Sequence, residues 1–179
     1  MRGSRSCRGV RRVEHLSHPP TSRRPLVNRL AALLVALATT LALVLVANPA
    51  PAQAATAAQR YGAAAEKATN VARAKHDRVK LKGNPCLRKY ARIQATKMAR
   101  KKDIWHQDLN VVLKKCNMSW VGENVAVGYP SGKAVVNQGW MKSKGHRQNI
   151  LRKQFRLGVV VARKGDDGRW YAAQVFGRR

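Results

Sequence analysis

"RLGVVVARKGDDGRWYAAQVFG", residues 156–177, decides the fold. Two runs rich in β-branched and aromatic residues, 157–163 and 169–176, flank Gly165-Asp166-Asp167-Gly168. Paired runs of this kind around a Gly- and Asp-rich turn are the signature of an antiparallel hairpin. Almost everything before the hairpin reads as helix. Helices first and paired strands last imply an α+β layered domain.

Working outward, "SGKAVVNQGWMKS" gives a helix over 132–142, and "SKGHRQNILRKQF" gives another that Ser143 caps, with Ile150 and Leu151 facing inward. "VGENVAVGY" (121–129) reads as a short strand, and "KKDIWHQDLNVVLKKC" (101–116) as a short helix from Gln107 to Lys114, with Asp103 as a cap before it. Further back, Leu87, Ala91, Ala95 and Met98 share one face of a helix over 86–102, and Gly83-Asn84-Pro85 forms the breaker before it. Residues 56–76 are Ala-rich, and Tyr61, Ala65, Ala68 and Ala72 recur at three or four residues, the spacing of an amphipathic helix.

The first 54 residues have a different character. Residues 1–29 hold eight Arg and one Glu and lead into the uncharged run "LAALLVALATTLALVLVA" (30–47), followed by Ala52 and Ala54 in an A-x-A arrangement. Basic, then apolar, then small is the order of a secretory signal peptide. "TSRRPLVNRL" (21–30) also resembles a twin-arginine export signal. The apolar run is just long enough to span a bilayer, so a retained anchor is the alternative to cleavage. The expected organisation is a signal peptide over 1–54 and one domain over 55–179, secreted and monomeric, at the cell envelope or outside it.

Charge narrows the partners. The whole chain carries 36 Lys and Arg against 8 Asp and Glu; without the eight Arg and one Glu of the start, 28 face 7, a net +21. Such a surface draws anionic cell-wall polymers, lipid headgroups or, non-specifically, nucleic acid; alternatively it is only a solvated basic face. No aromatic-rich RNA-binding signature, zinc-finger spacing or helix-turn-helix pattern is present, so nothing but charge supports a nucleic-acid role.

Cys7 falls within the start, which leaves Cys86 and Cys116. An even count in an oxidising compartment reads as a disulfide. A two-Cys metal site is the lesser alternative, because neither Cys has a second Cys or a His at ligand spacing.

Three residues stand out chemically: His106 beside Trp105 at the end of a helix, Glu123 in "GEN", and His146 in "SKGHRQN". Two imidazoles and a carboxylate are what a zinc-type site or a general acid/base pair uses. Spacings of 17 and 23 residues do not show that they converge, and each has an ordinary structural reading as well.

Taken together, "WHQDL", "VGENVAVGY", "VVNQGWMKSKGHRQNILRKQFRLGVVV" and "WYAAQVFG" resemble, in order, the CAP superfamily (cysteine-rich secretory, antigen 5 and pathogenesis-related proteins), in particular its small secreted bacterial members with an SCP-like domain. The resemblance covers nearly all of residues 60–177. It implies a three-layer α/β/α sandwich around a small antiparallel sheet, with a central cleft lined by two His and two acidic residues that in some members holds a divalent metal. On that basis His106, Glu123 and His146 are cleft residues, the two imidazoles would hold zinc weakly, and Glu123 would favour their protonated or metal-bound forms. Asn124 is a structural partner for buried backbone groups. The second acidic residue, three positions after the helix Trp, is here Ser143. Losing it removes a ligand and a base, so a non-enzymatic protein is the leading expectation. The alternatives are a metal-dependent hydrolase or peptidase using Glu123, and a lipid or sterol carrier.

Overall fold

The computed structural model describes residues 55–179. The expected signal peptide, the twin-arginine-like stretch, the apolar run and Cys7 lie outside the described residues.

Helix α1 spans Ala57–Ala74. Thr56 and Gln59 start it by a reciprocal exchange: the Thr56 hydroxyl accepts from the Gln59 backbone N–H (3.2 Å), and the Thr56 N–H donates to Gln59 Oε1 (2.6 Å). Helix α2, Pro85–Lys101, has Pro at its first position, where the missing N–H costs nothing, and Asn84 Oδ1 accepting from the Leu87 N–H (3.0 Å). It ends at Lys102, which turns into the left-handed region (φ 57°). Helix α3 is Leu109–Lys115 and is capped by Asp108, whose Oδ1 accepts from the Asn110 N–H. Asp103 does not cap it. Its carboxylate is spent on the adjacent Ile104 N–H, so residues 102–108 form a loop and His106 lies in that loop rather than at a helix end.

Strand β1 is Trp120–Val127. The expected helix over 132–142 is composite: an α-helical turn Gly132–Ala134, a π-helical turn Val135–Gly139 and a 3₁₀ turn Trp140–Lys142, called α4 as a whole. Its first residue must be Gly, since a Cβ on Gly132 would stand 2.0 Å from the Tyr61 carbonyl oxygen of α1. Helix α5 is Lys144–Leu151. Ser143 occupies its cap position, but the hydroxyl makes no capping hydrogen bond there, which corrects the expectation from sequence. The hairpin is as expected: β2 (Leu157–Lys164) and β3 (Trp170–Arg178) pair antiparallel, and the turn closes on Gly168 at φ +76°.

β3 lies between the other two strands in the order β1-β3-β2, all antiparallel, with Glu123 opposite Val175 and Val175 opposite Val159. Alternation along the strands splits the core in two. On one face Ala126, Val160, Ala172 and Phe176 pack with Tyr61, Ala65, Trp140, Ile150 and Phe155. On the other, Val125, Val159, Ala173 and Val175 pack with Leu87, Ala91, Met98 and Val112. Helices cover both faces of the sheet, which gives three layers. Each large apolar side chain buried in this way contributes about 1.5–3 kcal/mol.

Both outer strand edges are closed by polar groups. On β1 the Trp140 indole N–H donates to the Val125 carbonyl (3.2 Å) and the Asn149 amide to the Glu123 carbonyl (3.0 Å). On β2 the Val160 N–H donates to Glu66 Oε1 (2.9 Å) and the Gly158 N–H to the Lys82 carbonyl (3.0 Å).

Two further ties, one covalent and one charged, join elements that lie on the same face of the sheet. The disulfide Cys86–Cys116, with Cα atoms 5.6 Å apart, joins the start of α2 to the end of α3. Arg73, near the end of α1, is fully buried, and its guanidinium donates to four backbone carbonyls: Val79 (2.8 Å), Ile150 (2.6 Å), Arg152 (3.2 Å) and Phe155 (3.2 Å). No carboxylate pairs with it among the described residues. Burial first, then the nearby Arg156 and Arg78, push its pKa down to about 10.

Candidate functional site

The site is built on the outer edge of β1. Glu123 points to the α2 and α3 face, and its side chain is 0% exposed. A buried carboxylate must be fully hydrogen-bonded, and this one is. Oε2 lies 2.9 Å from His106 Nδ1 and accepts from the Gln107 backbone N–H at 3.1 Å; Oε1 accepts from the Gln107 side-chain amide at 2.6 Å. The loop that delivers these donors is itself anchored, because the buried Gln94 of α2 donates its amide to the Trp105 carbonyl. His106, by contrast, is 57% exposed. It places a carboxylate-oriented imidazole in solvent, with Nδ1 turned inward and Nε2 the ring nitrogen not engaged by Glu123.

Asn124 points to the opposite face of the sheet and is fully buried. Its amide donates to the His146 carbonyl (3.2 Å) and to Gln174 Oε1 (3.0 Å), and its own oxygen accepts from Asn149 (3.0 Å). Gln174 in turn donates to the Thr69 hydroxyl of α1 (2.8 Å). These bonds join β1 to α5 and, through Gln174 of β3, to α1 on the same face of the sheet.

His146 therefore reaches the site through its backbone, from the first turn of α5. Burial, and secondarily the positive charge of His106, lower its ring pKa below the ordinary value. That direction corrects the expectation that Glu123 would favour the protonated form of both imidazoles. Glu123 is committed to His106 and Gln107, and at His146 desolvation prevails.

Among the described residues no three His, Cys, Asp or Glu side chains gather as a metal-holding group. Glu123 stands behind the His106 ring in the outer-shell position that orients a His ligand. Three donors hold both Glu123 oxygens, so the carboxylate offers no free lone pair at the edge of the site. Two concavities among the described residues lie elsewhere. One of about 580 Å³ sits between α1 and α2 at the β2 edge, and one of about 650 Å³ runs along the outer side of α1. Gln107 and Asn149, which support the site as much as the residues singled out from sequence, had no signal of their own beyond adjacency to "WH" and "GH".

Helices on both faces of a three-stranded antiparallel sheet, with a His–carboxylate pair at one edge strand, define the small α/β/α sandwich class. The profile of the CAP (cysteine-rich secretory protein) family matches residues 66–176, and the chain belongs to that family. Three solved structures share the fold. An outer surface protein from Borrelia burgdorferi superimposes with a TM-score of 0.58 at 21% identity, over 64% of this chain and 89% of that one. An extracellular protein containing an SCP domain from Bacillus anthracis gives 0.58 at 23% identity over 72% of this chain and 45% of that one. A cysteine-rich secretory protein from Staphylococcus aureus gives 0.57 at 19% identity over 70% and 41%. The chain thus spans under half of the Bacillus and Staphylococcus proteins, and at these identities the likeness shows the fold alone. No curated protein matches the sequence.

Proposed function

We propose that this is a secreted, non-enzymatic CAP-domain protein that acts by binding at the cell envelope. Its basic surface engages anionic polymers, and its imidazole pair takes up a divalent ion only weakly. The observation that carries the reading is the saturation of Glu123. A general base needs a lone pair directed at open space, and three donors hold both oxygens of a carboxylate that solvent does not reach. Ser143 offers no substitute, since among the described residues no Asp hydrogen-bonds to His146 to orient it as the base of a triad. Export is supported by the Arg-rich and apolar start of the sequence, by the disulfide, and by likeness to structures described as extracellular or outer-surface proteins. Among the described residues no helix is long and apolar enough to cross a membrane.

Zinc titration by calorimetry, run beside a broad hydrolase screen, tests the reading. We expect weak zinc binding that strengthens as pH rises, because a divalent ion competes with protons for ring nitrogens, and that is lost in His106→Ala and in His146→Ala. Peptides and esters should stay uncleaved. Zinc-dependent turnover abolished by Glu123→Gln would overturn the non-enzymatic assignment.

A further inference from the structure

We propose that the concavity between α1 and α2 is a binding groove for a phosphodiester chain of the polyol-phosphate type, gripped by Arg88, Arg92 and Arg163. This deepens the reading of the basic surface as anion-binding, and rests on it, by giving that surface a defined site.

The groove encloses about 580 Å³, room for a few repeating units of a linear polymer rather than a single small ion. Arg88 and Arg92 stand four residues apart on α2, hence on one face of the helix, and Arg163 reaches in from the adjoining edge strand β2. Glu66 is the carboxylate among the lining residues, and it is already committed. Its Oε1 holds the Val160 N–H at 2.9 Å and Arg88 at 3.0 Å. Arg92 and Arg163 take part in no ion pair among the described residues. Three guanidiniums against one internally neutralised carboxylate leave a net positive groove, and all three cations are Arg, whose planar fork matches phosphate oxygens two at a time.

The same residues argue against other occupants. The lining has no aromatic side chain on which a base could stack, so single-stranded nucleic acid gains only its backbone contacts. An added peptide strand finds the β2 edge closed at Gly158 and Val160 by Lys82 and Glu66.

The test is calorimetric titration of the full exported chain with three probes: a glycerol-phosphate oligomer, vesicles of phosphatidylglycerol and phosphatidylcholine, and a single-stranded oligonucleotide. Wild type should bind the oligomer most tightly per phosphate. Combined Arg88→Gln, Arg92→Gln and Arg163→Gln should weaken it about 30-fold, as expected for several lost charge-assisted contacts. A control of equal charge change outside the groove, Lys114→Gln, Lys133→Gln and Lys153→Gln, should weaken it about 3-fold or less. Should the Gln set fail to fold, the charge-conserving Arg88→Lys, Arg92→Lys and Arg163→Lys set serves in its place, because lost fork geometry alone should still weaken binding more than the control does. Equal losses in groove and control variants would overturn the groove while leaving general polyanion binding intact. No oligomer binding by wild type would overturn both. Tighter binding to vesicles or to the oligonucleotide would overturn the polyol-phosphate assignment.

Discussion

Arg73 and Glu123 are both buried charges, and the protein treats them in opposite ways. Arg73 has no counter-ion among the described residues and gives its donors to four carbonyls drawn from the 79, 150–152 and 155 segments. Nothing about it reaches solvent, and its work is architectural: it ties the end of α1 to the chain that runs from α5 into β2. Glu123 is equally buried, but one of its three partners, His106, is more than half exposed. A charge sealed on every side fixes a fold, whereas a charge with one exposed partner presents a chemical group. The same desolvation cost thus serves structure in one place and a site in the other.

That contrast can be broken most directly at Arg73. Arg73→Met removes the donors of four carbonyls at once and should cost about 3–5 kcal/mol, read as a loss of denaturation midpoint, with zinc affinity unchanged in whatever fraction remains folded. A cost under about 1 kcal/mol would show that the guanidinium is a passenger. Next in size is the disulfide, which braces the Glu123 side. Replacing Cys86 and Cys116 by Ser opens a loop with a sequence separation of 30 and should lower stability by about 3 kcal/mol. The unreduced, denatured wild type should show no free thiol at either position. Glu123→Gln is smaller still. The amide keeps the shape but sets an N–H against a donor of Gln107 or His106, for about 1–2 kcal/mol. It should also weaken zinc about 10-fold by loosening the hold on His106. If stability fell as far as in Arg73→Met with zinc binding intact, Glu123 would belong with Arg73 as an architectural charge.

The smallest expected effect is a pH dependence. The folded-state pKa of His146 lies below its unfolded value, so the folded protein binds fewer protons at this site than the unfolded one does. The site therefore costs no stability above pH about 6.5 and an increasing amount as pH falls below it. Thermal melts of wild type and His146→Asn between pH 7.5 and 5, about the ordinary His range, should diverge on the acid side, with the variant less affected. Parallel curves would mean that the ring is solvated in both states.

Much of this was legible in the sequence because it is local. The Gly165–Gly168 turn, the apolar stripe of α2 and the Gly-Asn-Pro breaker each act within a few residues, and the structure follows them. The layered fold follows from their order. What was not legible depends on partners far along the chain. The π turn at Val135–Gly139 carries no marker; it sets the register that places the Trp140 indole against the Val125 carbonyl of an edge strand. Arg73 looks like any cation of a basic helix, since its acceptors are backbone carbonyls without sequence identity. Residue type and resemblance mark His106 and Glu123 as candidates. Their contact depends on Gln107 and on the Gln94 anchor, both of which act across more than ten residues.

The disulfide has a further consequence for a protein that meets proteases. The loop bearing His106 follows Lys101 and Lys102, which are exposed, and a trypsin-like enzyme cuts after such residues. A single cut there lies between Cys86 and Cys116 and leaves two pieces that stay covalently joined, one carrying α1 and α2, the other Glu123, His146 and the hairpin. The nicked molecule would migrate as one species on a denaturing gel without reductant and as two with it. Its lifetime in the presence of such a protease would then depend on a second cleavage or on reduction, not on the first cut.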